Sequence, residues 1–262
     1  MSTSLHLFGQ PGAPSSATPP VVLPGLWRGS ELGHLTTATQ PTGWEPLDRV
    51  LPGGGWPSRS LAEVLAPQPG ILEWRLLGPA LGRVAAQGRQ IVAIAPPRHP
   101  YLPGLQQAGL DERRFVWIRA DTPAERLWAT EQMIKSNACG AVIAWLPQVR
   151  SEQLRRLQVG AQSCDGLVFL CRPESTRHES SAAPLRVLAR PCLDWALQLH
   201  ILKRRGPAME EPITLESLPG GLACVITPRL RRPSRLFRQE VPVHAMGRPV
   251  ALDALRRDTA LQ

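Results

Sequence analysis

Short apolar runs alternate with longer amphipathic segments through the middle of this chain, and this alternation restricts the fold more than any other feature of the sequence. The apolar runs that indicate strands are residues 60–66, 90–95, 115–120, 141–146 and 167–171. Segments with helical spacing separate them, at residues 71–87, 102–108, 122–136 and 151–162. Strands that are apolar on both faces need helical connections and helical cover. The pattern therefore predicts an α/β fold with a mostly parallel central sheet.

The pattern changes after Arg172. A polar loop leads to two further apolar runs, residues 185–189 and 195–202. In the second run every other residue is large and apolar: Trp195, Leu197, Leu199 and Ile201. Such alternation is typical of antiparallel strands that have one covered face. We expect both runs to be antiparallel edge strands, so the predicted fold class is a three-layer αβα arrangement with a mostly parallel sheet and antiparallel edge strands.

One helix has a clearly marked start. Thr122 is a capping residue, Pro123 suits the first helical position, and Glu125 can bond back to the free N–H of the capping residue. We expect this helix to run to about Ser136. The residues expected on one side of it are Ala124, Leu127, Trp128 and Ile134.

The composition shifts at both ends of the chain. Residues 1–25 contain GQPGAPSSATPP, which has too few apolar side chains to form a core, and they are interpreted as a flexible N-terminal arm. Residues 26–226 are interpreted as one α/β domain. Residues 227–262 are basic and punctuated by proline, and they are interpreted as a C-terminal tail.

Net charge narrows the kind of partner. The chain has 30 Lys and Arg against 21 Asp and Glu, a net charge of +9 that attracts nucleic acid or an acidic protein surface. Composition does not choose between these partners, and a solubilising surface is the alternative interpretation. No apolar stretch is long enough to span a membrane and no export signal opens the chain, so we expect a cytoplasmic protein. Five scattered cysteines indicate reduced thiols, and their spacing with His178 does not indicate a metal site.

The segment before the first strand carries a family resemblance. Thr42-Gly43, Leu47-Asp48 and the Gly-rich LPGGGWP at residues 51–57 are similar to the segment that precedes the first core strand of RecA, the bacterial recombinase. The resemblance extends to about Arg205 and implies a RecA-like version of the predicted three-layer fold.

An active RecA-like ATPase needs a phosphate-binding loop that ends in Gly-Lys-Ser/Thr, because backbone amides, an ammonium group and a hydroxyl converge on the phosphates and Mg²⁺. Here the chain reads APQPGIL from residue 66. Gly70 is retained, while Ile71 and Leu72 replace the lysine and the hydroxyl residue. Pro67 and Pro69 also remove two amide donors. We therefore interpret this turn as a degenerate phosphate loop.

Two further requirements of ATP hydrolysis are missing. The strand at residues 141–146 places Trp145 where an acidic residue would hold the magnesium shell. Residues 95–99, where a glutamate would polarise the attacking water, contain no carboxylate. Phosphoryl transfer depends on electrostatics and positioning, so we expect no enzyme activity and no cofactor. Nucleotide binding without hydrolysis stays open as an alternative.

Among non-catalytic relatives of RecA, the chain resembles the ImuA family, which is related to the cell-division inhibitor SulA. The segments that carry this resemblance are residues 26–32, 42–48, 51–56 and 183–186. It implies an accessory role in SOS-induced translesion DNA synthesis and mutagenesis after DNA damage. The implied partners are a polymerase-like ImuB protein and an error-prone alpha-type subunit of DNA polymerase III, with RecA as a further candidate. The alternatives are a SulA-like inhibitor that binds the division protein FtsZ, and a degenerate DNA-binding ATPase.

The basic tail is the candidate binding segment. It interleaves cations with apolar side chains, and the residues expected to bind a partner or DNA are Arg229, Arg231, Arg232, Arg235, Phe237 and Arg238. Such a segment can follow a phosphate backbone or dock into an acidic protein groove. A solvated tail is the alternative. The loop at residues 172–181, with Arg172, Arg177 and His178, is a weaker candidate for DNA contact.

Overall fold

A computed structural model describes residues 38–107, 109–218 and 225–234. The predicted arm at residues 1–25 lies outside the described residues. The chain enters the fold through a small antiparallel pair, β1 (Thr39–Gln40) and β2 (Trp56–Pro57), with the short helix α1 (Glu45–Asp48) between them. Gly55 is required here, because a Cβ atom at this position would lie 2.2 Å from the carbonyl oxygen of Gln40.

The main sheet contains eight strands. In chain order they are β3 (Leu61–Ala66), β4 (Ile91–Ile94), β5 (Phe115–Ile118), β6 (Ala141–Trp145), β7 (Leu167–Pro173), β8 (Leu185–Pro191), β9 (Leu197–Lys203) and β10 (Ile213–Leu215). The helices are α2 (Leu72–Ala86), α3 (Leu102–Gln107), α4 (Pro123–Ser136), α5 (Ser151–Ala161) and the single-turn α6 (Pro228–Arg231). Each predicted strand and helix between residues 60 and 171 is present, and its bounds differ from the prediction by at most two residues.

The strand order is β10-β9-β8-β3-β7-β6-β4-β5. The six neighbouring strands from β8 to β5 run parallel to one another. Strand β9 runs antiparallel to β8, and β10 runs antiparallel to β9. The expectation of antiparallel strands is confirmed for the second run, residues 195–202, which forms β9 from Leu197, while Trp195 lies in the turn before it. It is wrong for residues 185–189, which run parallel to β3. Residues 174–184 carry the chain back to the end of the sheet at which β3 begins. The spacing of apolar residues indicates which faces of a strand are buried, but it contains no information about the direction in which the strand runs.

Two apolar cores lie on the two faces of the sheet. Val64 and Phe169 point to the face covered by α1, α2 and α3, where Leu76 packs. Leu61 and Leu170 point to the other face, which is covered by α4 and α5. This arrangement confirms the predicted α/β class, with a mostly parallel sheet between two helical layers.

Helix α4 begins at the predicted capping box, in which Thr122 and Glu125 bond each other's backbone N–H groups. Its buried face differs from the expected one, because Ala124 is exposed and Trp128 is 65% exposed. Thr130 occupies the buried stripe instead, and its hydroxyl donates to the carbonyl of Arg126 at 2.7 Å. A threonine that satisfies its own hydroxyl can replace an apolar residue in a core, and apolar spacing alone does not reveal it.

Candidate functional site

The turn between β3 and α2 is the segment that we interpret as a degenerate phosphate loop. Gly70 has a φ of +87°, in the left-handed region that favours glycine. Pro67 is exposed, Ile71 is 43% exposed and Leu72 is buried. The structure therefore brings the four predicted loop residues together around the amino end of α2, with apolar side chains where charge would be needed.

A buried carboxylate fills this turn. Glu73, in the first turn of α2, is fully buried. Its side chain accepts hydrogen bonds from the backbone N–H of Gly70, at 3.0 and 2.9 Å to its two oxygens, and from the N–H of Ile71 at 3.1 Å. A helix amino end favours negative charge, and these amides are donors of the kind that would bind a phosphate. An internal anion thus takes the place of an external one.

Trp145 completes the enclosure. It is the last residue of β6 and is buried, and its indole Nε1 donates to Glu73 Oε1 at 3.1 Å. Its ring also lies 5.2 Å from that of Trp74 on α2. The strand tip predicted to have lost its metal ligand therefore carries a hydrogen-bond donor that holds the carboxylate filling the turn.

The segment after β4 closes the turn from outside. A Cβ atom added to Gly70 would lie 2.6 Å from Cγ of Pro97, so the backbone at Gly70 has no space for a side chain. Pro97 belongs to the segment in which a catalytic glutamate is missing. The turn after β3 and the segment after β4 are thus packed against each other.

The surroundings of this turn raise the pKa of the Cys171 thiol. Burial, with a smaller contribution from the Glu73 carboxylate, holds the pKa of Cys171 well above its usual range. The thiol is therefore kept neutral and unreactive. Glu73 was not singled out from the sequence, although an acidic residue in the first turn of a helix that follows a glycine turn is a recognisable anchor for free amides.

The basic segment is placed in part. Arg229, Arg231 and Arg232 are exposed on or next to α6, whereas Arg235, Phe237 and Arg238 lie outside the described residues. The segment is attached to the turn between β8 and β9: Trp195 Nε1 donates to the carbonyl of Leu230 at 3.0 Å. The described start of the tail is thus a docked segment in which Arg229, Arg231 and Arg232 are exposed.

Arg172, the first arginine of the predicted DNA-contact loop, lies near the end of β7 and has a structural role. Arg172 is 1% exposed, and its guanidinium reaches Glu63 at 3.6 Å and Glu179 at 2.7 Å. The buried Glu63 also accepts a bond of 2.6 Å from Nε of Arg186. Arg172 is therefore unable to contact DNA from this position, because its charge is neutralised inside the sheet. Arg177 stays exposed.

Helix α5 packs on the sheet through its apolar side and exposes its arginines to solvent. Leu154 and Leu157 are buried against the sheet, and Arg156 pairs with Glu131 of α4. Within residues 38–107, 109–218 and 225–234 no cluster of His, Cys, Asp and Glu could hold a metal ion. Over the same residues, no helix has the length and apolar character to cross a membrane.

No known protein-family model matches the chain. It is similar to proteins named cell division inhibitor SulA: 31% identical over 102 residues to that of Pectobacterium carotovorum subsp. carotovorum, which is 38% of this chain and 61% of the relative. The protein of Serratia marcescens is 26% identical over 107 residues, 41% and 62% of the two chains. That of Yersinia enterocolitica is 26% identical over 122 residues, 46% and 71%. The chain thus matches about three fifths of the length of the first of these relatives, and about two fifths of this chain is similar to SulA.

Proposed function

We propose that this chain is a non-catalytic, protein-binding domain that inhibits cell division through FtsZ, as part of a bacterial response to DNA damage. The observation that carries the non-catalytic part is Glu73, whose carboxylate is bonded to the amides of the degenerate phosphate loop. The similarity to proteins named cell division inhibitor SulA supports the division-inhibiting part. No cofactor is needed for such a role.

The filled turn supports an inactive nucleotide site for electrostatic reasons. A triphosphate would have to displace a buried carboxylate from two backbone amides and one indole N–H. It would gain no lysine and no magnesium ligand in return, because Ile71 and Trp145 stand at those positions. Charge stabilisation is the main source of catalysis in phosphoryl transfer, so a turn of this composition has no means to accelerate it.

Expression in a rod-shaped bacterium tests this function. We expect filamentous cells, and we expect the purified chain to reduce the amount of FtsZ polymer that sediments with GTP. The SulA protein of Serratia marcescens serves as the positive control, and an empty vector as the negative one. Normal division together with unchanged FtsZ sedimentation would remove the proposal.

A translesion-synthesis adaptor is the second candidate, because more than half of this chain lies outside the SulA match. The resemblance to the ImuA family suggests an ImuB-like protein and an alpha-type polymerase subunit as partners for that additional part. Co-purification of the full chain with the ImuB-like protein, from cells with damaged DNA, discriminates the two roles. Association at micromolar concentration without any effect on FtsZ would favour the adaptor.

A further inference from the structure

The turn between β8 and β9 combines backbone strain with exposed apolar side chains. Asp194 and Trp195 have φ values of +58° and +63°, a left-handed conformation that costs on the order of 1 kcal/mol or more for each non-glycine residue. Leu193 in the same turn is 73% exposed, and Trp195 is 37% exposed. The free energy of burying apolar side chains does not offset this strain, because Leu193 and Trp195 remain exposed to water.

The same turn holds the start of the basic tail. The carboxylate of Asp194 accepts hydrogen bonds from the N–H of Ser234 at 2.8 Å and from its hydroxyl at 2.5 Å. With the bond from Trp195 to the carbonyl of Leu230, this places α6 against the turn. Leu230 is 51% exposed, and Arg229 and Arg232 are exposed beside it.

The turn is also tied to α2. The guanidinium of Arg75 donates to the carbonyl of Trp195 and to the hydroxyl of Ser217, the latter at 2.7 Å. The turn and α6 therefore form one exposed surface at the carboxyl edge of the parallel strands. We define it as the edge patch: Leu193, Trp195, Leu230, Arg229 and Arg232.

We propose that the edge patch docks an acidic, amphipathic segment of a protein partner. Its three apolar side chains offer contact area for the apolar side of such a segment, while the two arginines complement carboxylates on its rim. A single-stranded nucleic acid fits less well, because only one of the three apolar groups is an aromatic ring on which a base can stack. This inference deepens the proposed function and depends on it only in taking the partner to be a protein.

Binding of synthetic peptides to the full-length chain tests the inference. The probe is an 18-residue fluorescent helical peptide with leucine on one side and glutamate on the other; the comparisons are the same peptide with lysine for glutamate and a 20-nucleotide oligothymidine. We expect the acidic peptide to bind and the lysine peptide not to bind. Leu193→Asp and, separately, Leu230→Asp should weaken binding by about tenfold or more, since each places a carboxylate in the apolar part of the patch.

Val159→Asp is the matched control, because Val159 is 61% exposed near the end of α5 that leads back to the start of β7. It should change binding by less than about twofold. Circular dichroism melting confirms that all three variants are folded. Failure of the acidic peptide to bind, equal binding by the two patch variants and the wild type, or binding of oligothymidine in place of the peptide would overturn the inference.

The same variants separate this inference from the proposed function. If the wild type binds FtsZ and both patch variants bind it equally well, the edge patch is not the docking surface and the function stands. If the wild type binds the acidic peptide in a patch-dependent way but leaves FtsZ unaffected, the docking surface stands and the proposed division inhibition fails.

Discussion

Trp145 at the end of β6 donates its indole N–H to Glu73 of α2 across 3.1 Å, although the two residues are 72 positions apart in the chain. The acceptor also binds backbone amides of the turn that we interpret as a degenerate phosphate loop, and the donor is the residue predicted to replace a magnesium ligand. In the structure, the carboxylate and the indole satisfy each other's hydrogen-bonding groups in the interior of the fold.

Trp145→Phe tests the stabilising value of this bond. Trp56→Phe is its matched control, because Trp56 is also buried and its Nε1 has no hydrogen-bond partner among the described residues. Both changes remove similar volume, so the difference isolates the hydrogen bond to a charged group, about 2 kcal/mol. Urea unfolding of both variants measures it. Equal losses of unfolding free energy would show that the bond contributes nothing.

Glu73→Ala should lower the free energy of unfolding by about 3 kcal/mol, because three N–H donors lose their acceptor. Sulfate should raise the unfolding midpoint of this variant more than that of the wild type, at matched ionic strength in chloride, since the vacated helix amino end can bind an anion. Glu152→Ala, at an exposed position in the first turn of α5, should cost less than about 1 kcal/mol. A stable, sulfate-insensitive Glu73→Ala protein would contradict the assignment.

Gly70→Ala should destabilise the protein through both strain and a clash, because φ is +87° and the new Cβ atom would meet Pro97 at 2.6 Å. Gly206→Ala is matched to it, since Gly206 has a φ of +95° and nothing within 4 Å of an added Cβ atom. The control should lose about 1 kcal/mol from strain alone, and Gly70→Ala about 1–3 kcal/mol more. Thermal unfolding compares them, and identical midpoints would mean that the two loops are not tightly packed.

Cys139 is one of the buried cysteines through which stability should fall at alkaline pH. Burial, and to a smaller extent the neighbouring Cys164, raise the pKa of Cys139 from 9.0 to about 11. The folded protein favours the neutral thiol, so this stabilisation is complete below pH 9 and is lost as the pH rises towards 11, by about 2 kcal/mol. Urea midpoints between pH 8 and 11 should decline less in Cys139→Ala than in the wild type. Cys192→Ala, at an exposed site, should follow the wild type.

Neutralising the basic segment should weaken association with a partner. The variant has glutamine in place of Arg229, Arg231, Arg232, Arg235 and Arg238. Its affinity for the partner should fall, and its dissociation constant should depend less on salt concentration, because fewer charge–charge attractions remain for salt to weaken. Arg155→Gln on the exposed side of α5 is a single-charge control. Binding to FtsZ measured across a salt series decides the matter; unchanged affinity would leave these arginines as solubilising charge.

The layered fold was accessible from the sequence because its determinants are local. The length of an apolar run, the capping box at Thr122 and the spacing of helical residues each act within a few positions, so the strands and helices from residue 60 to 171 could be predicted closely. The apolar character of Ile71, Leu72 and Trp145, where an active RecA-like ATPase would need a lysine, a hydroxyl and an acidic residue, could also be read directly, since it depends only on residue identity and order.

Contacts between distant segments were decided by the tertiary structure alone. The direction of β8, the burial of Arg172 between Glu63 and Glu179, and the attachment of residues 230–234 to the turn at Asp194 and Trp195 all depend on which strands become neighbours. The same holds for the hydrogen bond from Trp145 to Glu73, which forms only when α2 and the end of β6 meet. Apolar periodicity encodes burial one segment at a time, whereas pairing of polar groups is set by three-dimensional packing, because each buried donor must find whichever acceptor the fold brings within reach.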